Sequence, residues 1–184
     1  MVEPRNYADT EILKDGTGAT IRAIRPDDRD GILAVFNTQD RQSVYTRFFG
    51  YKKGLTDSEL SQLTQVDFDH VVALVVTVGS GTDETIIAGG RYLCASGARA
   101  SQSAELAFTT DGNYQGRGIA NLALRHLTRI ARERGVSQFE ADVLAQNEPM
   151  LAVFRRSELP MLQRRDGDVV HVTLSLTAAS GLAP

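Results

Sequence analysis

The stretch that decides the fold is AELAFTTDGNYQGRGIANLALRHLTRIARERG, Ala104 to Gly135. It opens as a strand, in which Leu106 and Phe108 fall on one face and Glu105 on the other. Small polar residues follow, and then two glycines, Gly116 and Gly118. Beyond them Ile119, Ala120, Ala123, Leu124, Leu127, Ile130 and Ala131 recur at helical spacing. They predict one buried stripe along a helix running from Gly116 to about Arg134.

A helix starting at Gly116 or Arg117 leaves its first backbone N–H groups without acceptors in the helix. The helix dipole adds partial positive charge at that end. Glycine lets a ligand approach the backbone closely, so the junction suits a phosphate or diphosphate. Arg117 adds a side-chain donor. A plain strand-to-helix turn packed by glycines fits the same residues equally well. No Gly-x-x-x-x-Gly-Lys-Ser/Thr motif is present. A dinucleotide fingerprint ranks low. Asn121 stands where its third glycine belongs, although Glu140 and Asp142 lie at about the right distance for its acid.

Outward from this stretch the pattern is a mixed one. TEILKDGTGATIRAIRP reads as two strands about a glycine turn. Pro26 opens a helix with acids in its first turn. RQSVYTRFF reads as a second helix ending near Gly50, and TDSELSQLTQ as a third, begun by a Thr56–Glu59 capping box. HVVALVVTV and ETIIAGGRYLC are strands joined by GSGTD. After the deciding helix come the strand VSQFEADVL, the helix NEPMLAVFRRS and a hairpin about Asp166 and Gly167. Residues 1–9 are expected to be a flexible leader, 10–176 one domain and 177–184 a frayed tail.

The chain has 184 residues, 42% of them hydrophobic and 23% charged, with a net charge of −3. That is ordinary for a soluble domain and gives no electrostatic case for nucleic acid. No run is long enough to span a bilayer, and MVEPRNYADTEILKDG lacks the apolar core of a secretory signal. Cytoplasmic location is therefore expected. The single cysteine, Cys94, excludes an internal disulfide and a multi-cysteine metal site, and no metal is expected.

Gln115-Gly116-Arg117-Gly118-Ile119-Ala120 resembles the Gln/Arg-x-x-Gly-x-Gly/Ala signature of the GNAT superfamily of N-acetyltransferases. The segments IRAIRPDD, RFFGYKKGLTDSELSQLTQVDFDH, AELAFTT, VLAQNEPMLAVFRRSELPM and DGDVVHVTLSL, in that order, are similar to the catalytic domain of bacterial protein-lysine acetyltransferases. The resemblance implies an α/β fold with a mostly antiparallel central sheet of about seven strands, splayed in the middle and flanked by helices. It implies an acyltransferase that uses acetyl-CoA as co-substrate. Gln115, Gly116, Arg117, Gly118, Ile119, Ala120 and Asn121 would hold the diphosphate. Phe108, Thr109 and Thr110 would pair with the pantetheine arm, Asn147 would contact it, and Phe154 and Arg155 would lie beside the cofactor.

Acetyl transfer to an amine needs a base, because an ammonium cannot attack a thioester. Glu105 occupies the position of the family's usual catalytic glutamate. Partial burial among apolar neighbours would raise its pKa, whereas strand alternation alone also fits an outward-facing residue. Many members of the superfamily use a tyrosine on the helix after Asn147 as acid. Here that helix carries Phe154, so no general acid is assigned. The acceptor implied is a primary amine, a protein lysine first and a small amine second; a non-catalytic acyl-CoA sensor is the reading from another class. A homodimer is compatible with the sequence. The leader is too short for a cyclic-nucleotide module, so any control is expected in trans or through substrate supply.

His126 is expected on the solvated, Arg-rich face of the helix with Arg125, Arg129, Arg132 and Arg134, a face that could also help the adenosine phosphate. His171 is expected to be structural and His70 a surface or cap residue. Asp67 and Asp69 read as a turn and solvated edge, Arg47 to Phe49 as core and helix-end packing with a border of the acceptor groove as the alternative, and Cys94 as buried.

Overall fold

A computed structural model describes residues 3–39, 53–94 and 103–177. The expected helix over RQSVYTRFF, and with it the expected place of Arg47 to Phe49, lies outside the described residues. The rest is one eight-stranded sheet: β1 (Ala8–Ile12), β2 (Gly18–Ala23), β3 (Val71–Val78), β4 (Thr85–Cys94), β5 (Ser103–Thr110), β6 (Gln138–Leu144), β7 (Met161–Asp166) and β8 (Val169–Ser175). Its order is β1-β2-β3-β4-β5-β6-β8-β7. Among the described residues the helices are α1 (Arg29–Asn37), α2 (Asp57–Thr64), α3 (Ile119–Glu133) and α4 (Glu148–Arg155).

The central strand β3 is Val71-Val-Ala-Leu-Val-Val-Thr-Val78, buried along both faces. β-branched residues fit such a pleated, doubly covered strand. One face carries the main core, in which Leu122, Leu124, Leu127 and Ile130 of α3 meet Leu74, Tyr92 and Phe108. The other carries a smaller cluster of Ile24, Val35, Phe68, Val75 and Ile86 under α1. α1 lies so close to β4 that a Cβ at Gly31 would stand 2.7 Å from Ile86 Cδ1. The capping box opens α2 as expected, with Thr56 Oγ1 accepting from Glu59 N–H at 3.2 Å.

Three expectations are corrected. The leader is not loose over residues 3–9: Tyr7 is buried, and Ala8 already pairs with Arg22 in the sheet. Helix α3 starts at Ile119, with Gly118 as its cap at φ 80°, so Gly116 and Arg117 belong to the loop. His126 is not solvated. It is buried, its Nδ1 is 2.5 Å from Tyr7 Oη, and its Nε2 is 2.8 Å from Glu11.

The Arg-rich face of α3 is a seam with β1. Two residues of strand rise about 6.7 Å and four of helix about 6 Å, so alternate positions of β1 meet successive turns of α3. Asp9 faces Arg129 at 3.7 Å, Glu11 faces Arg125 at 2.6 Å, and Asp15, in the turn beyond, faces Arg117 at 2.9 Å. The Arg125 hydrogen bond, first among its causes, lowers the pKa of Glu11. Farther along, Arg132 donates to Leu176 O at 2.7 Å and Arg134 lies 3.5 Å from Asp69. These arginines hold β1, the loop before β3 and the residue that follows β8; the expected adenosine contact has no support from them.

Candidate active site

Strand β5 pairs with β4 along seven positions, from Ala88↔Thr110 to Cys94↔Ala104. Its other edge pairs with β6 in parallel only at Ser103↔Gln138, Ala104↔Phe139 and Glu105↔Glu140. Beyond Glu105 the strands part, while β6 stays paired on its other edge with β8 from Gln138↔Ser175 to Leu144↔Val169. The gap opens a cleft of about 800 Å³.

The cleft is lined by Glu105, Phe108, Thr109 and Thr110 from β5, by Gln115, Gly116, Gly118, Ile119, Ala120 and Asn121 from the loop and first turn of α3, and by Asn147, Phe154 and Arg155 from α4 and its cap. Thus the residues singled out from the sequence meet in one place, except Arg117. Its guanidinium pairs with Asp15 and stacks 4.8 Å over the Tyr114 ring.

At the loop, Gly116 and Gly118 both have left-handed backbone, φ 76° and 80°. A side chain at either would strain the turn. The first helical bond runs from Leu122 N–H to Gly118 O at 3.0 Å. Among the described residues, none accepts from the N–H groups of Gly116 through Asn121. Unpaired amides at the positive end of a fifteen-residue helix fit a diphosphate. The open edge of β5 from Leu106 to Thr110 fits an extended amide chain.

Glu105 is exposed, so the expected partial burial is absent. It stands in register with Leu93 of β4 and Glu140 of β6. Arg91, on β4 opposite Ala107, feels its charge: burial lowers the pKa of Arg91, and Glu105 opposes that shift. Asn147 caps α4, its side chain accepting from Met150 N–H at 3.3 Å. Asn121 Nδ2 donates to Val153 O at 3.0 Å and ties the two helices beside the cleft. Phe154 is buried against Phe108, their ring centroids 6.4 Å apart.

Sequence reasoning missed Tyr114 and Gln39, which also line the cleft, as does Asp142, considered only as the acid of a dinucleotide fingerprint. Gln39 Nε2 donates to Thr110 O at 3.3 Å, so the end of α1 closes over the loop. The order of the elements carries no signal for this contact. The remaining candidates have local roles. Asp67 accepts from the N–H groups of Asp69, His70 and Val71, the last of which does most to hold its carboxyl below the usual range. His70 Nδ1 sits 3.1 Å from Asp67, and His171 pairs with Asp142 across β8 and β6. Cys94 is half-buried, and burial raises its pKa.

The family model described as "Acetyltransferase (GNAT) domain" matches residues 19–159. An acetyltransferase of Pseudomonas aeruginosa is 30% identical over 142 residues, covering 76% of this chain and 74% of that protein. Acetyltransferase Pat of Mycolicibacterium smegmatis is 31% identical over 145 residues, 78% of this chain but 42% of Pat, so the chain spans less than half of that relative. Among solved structures, the GNAT domain of S. lividans PAT superposes with a TM-score of 0.83 at 31% identity, covering 91% of this chain and 96% of that one.

Proposed function

The chain belongs to the GNAT family of acetyltransferases, and from that premise we propose that it acetylates a protein lysine side chain with Glu105 as general base. Acetyl-CoA is the co-substrate of this family and supplies the acetyl group as a thioester. The cleft fits such a molecule on two grounds: unpaired N–H groups over Gly116 to Asn121 for the diphosphate, and the open edge of β5 for the arm.

One observation carries the assignment of Glu105. It is the last residue of β5 paired with β6, so its carboxylate stands where the strands separate and lines the same cleft as the glycine loop. The carboxylate accepts a proton from the acceptor ammonium, and the freed amine forms the new C–N bond as the C–S bond breaks. A backbone N–H of Phe108 or Thr109 on the open edge would polarise the carbonyl. No side chain is assigned to protonate the departing sulfur. Lysine as acceptor is supported by the likeness to Pat and PAT.

The test is acetyl transfer from acetyl-CoA to lysine peptides and to small amines by the purified protein. Glu105→Gln is expected to lower kcat by about 10²–10⁴-fold with acetyl-CoA affinity retained. Unchanged kcat in that variant overturns the base. Transfer to polyamines or amino acids but not to peptides overturns the acceptor class.

A further inference from the structure

This inference rests on the acetyl-CoA reading above and adds a ligand residue to it. The turn joining β1 to β2 lies across the start of α3. Asp15 pins it there, accepting from Arg117 Nη1 at 2.9 Å and from Thr17 N–H at 2.9 Å. The residue before it, Lys14, runs alongside Gly118. A Cβ built on that glycine would stand 3.1 Å from Lys14 Cε and 3.5 Å from its Nζ. Gly118 is held to glycine by its left-handed φ, and the flexible Lys14 stem packs against its flank.

Lys14 is exposed, and among the described residues no carboxylate pairs with its ammonium. Its neighbour Asp15 is already committed to Arg117. An ammonium is therefore held beside the positive end of a helix whose first N–H groups also lack acceptors among the described residues. Like charges so arranged repel one another unless an anion joins them. Arg117, the cation that the sequence puts nearest the loop, is engaged by Asp15 and the ring of Tyr114.

We propose that Lys14 binds a phosphate of coenzyme A, with the Asp15–Arg117 pair acting as the brace that positions it. The phosphate is either the diphosphate at the helix terminus or the ribose monoester beside it. Neither Arg117 nor Lys14 is part of the cleft lining itself; Lys14 lies against Gly118, which is.

Titration calorimetry of acetyl-CoA into wild type, Lys14→Ala and Lys14→Arg tests this. Lys14→Ala is expected to bind about five- to tenfold more weakly, Lys14→Arg to retain most of the affinity, and the gap to narrow in high salt. Acetyl-pantetheine, which lacks these phosphates, should not distinguish Lys14→Ala from wild type in transfer assays. With dephospho-CoA, a loss that persists assigns the diphosphate and a loss that vanishes assigns the monoester; either supports Lys14. Equal affinity of Lys14→Ala and wild type for acetyl-CoA overturns the proposal, as does an equal loss with acetyl-pantetheine. Failure of wild type to bind acetyl-CoA removes the underlying reading instead.

Discussion

The two edges of strand β5 are treated differently by the same chain. Toward β4 it is laddered along seven positions, and Gly90 there lets Phe108 and Leu127 close over the backbone. Toward β6 it is paired at three positions and then left open, with the glycine loop at the end of the gap. The closed edge fixes where the strand lies, and the open edge supplies unmade hydrogen bonds to a ligand. A buried backbone group without a partner is costly, so an open edge in mid-sheet is tolerable only where solvent or a bound molecule reaches it.

Two substitutions probe this contrast. The larger effect is expected on the closed edge. A Cβ at Gly90 would meet the Phe108 ring at 2.9 Å and Leu127 Cδ1 at 3.2 Å, both buried. Gly90→Val should therefore lower unfolding stability by about 3 kcal/mol in urea titration, the upper end for overpacking. A loss under about 1 kcal/mol would show that the ladder yields easily and that the contrast is overstated. The smaller effect is expected at the open end. Gly118→Ala should cost about 1 kcal/mol for its left-handed backbone, and its crowding of Lys14 should weaken acetyl-CoA binding as well. Stability lost without any change in binding would separate the loop's shape from its ligand role.

Much of the closed architecture was legible in the sequence. The unbroken run of β3, the apolar stripe of α3 and the Thr56 capping box are local signals, each set by neighbours within a few residues. The glycine loop and the strand before it were legible for the same reason, and twelve of the thirteen expected cofactor residues line the cleft. What sequence could not supply is set by contacts between distant segments. His126 reads as a surface residue until Tyr7 and Glu11, more than a hundred positions away, are brought against it. Arg117 reads as a ligand residue until the β1–β2 turn claims it, and Lys14 has no local mark at all. Glu105 was expected partly buried because its neighbours in sequence are apolar. Alternation puts those neighbours on the other face and leaves the carboxylate exposed.

The central claim is that the open edge of β5 and the unpaired start of α3 together receive acetyl-CoA. Amide hydrogen exchange with and without acetyl-CoA measures it most directly. Slower exchange is predicted at Leu106 to Thr110 and at Gly116 to Asn121, with the β3 and β4 amides unchanged. Saturable binding that leaves those two segments exchanging as before, or that protects a different surface, would contradict it.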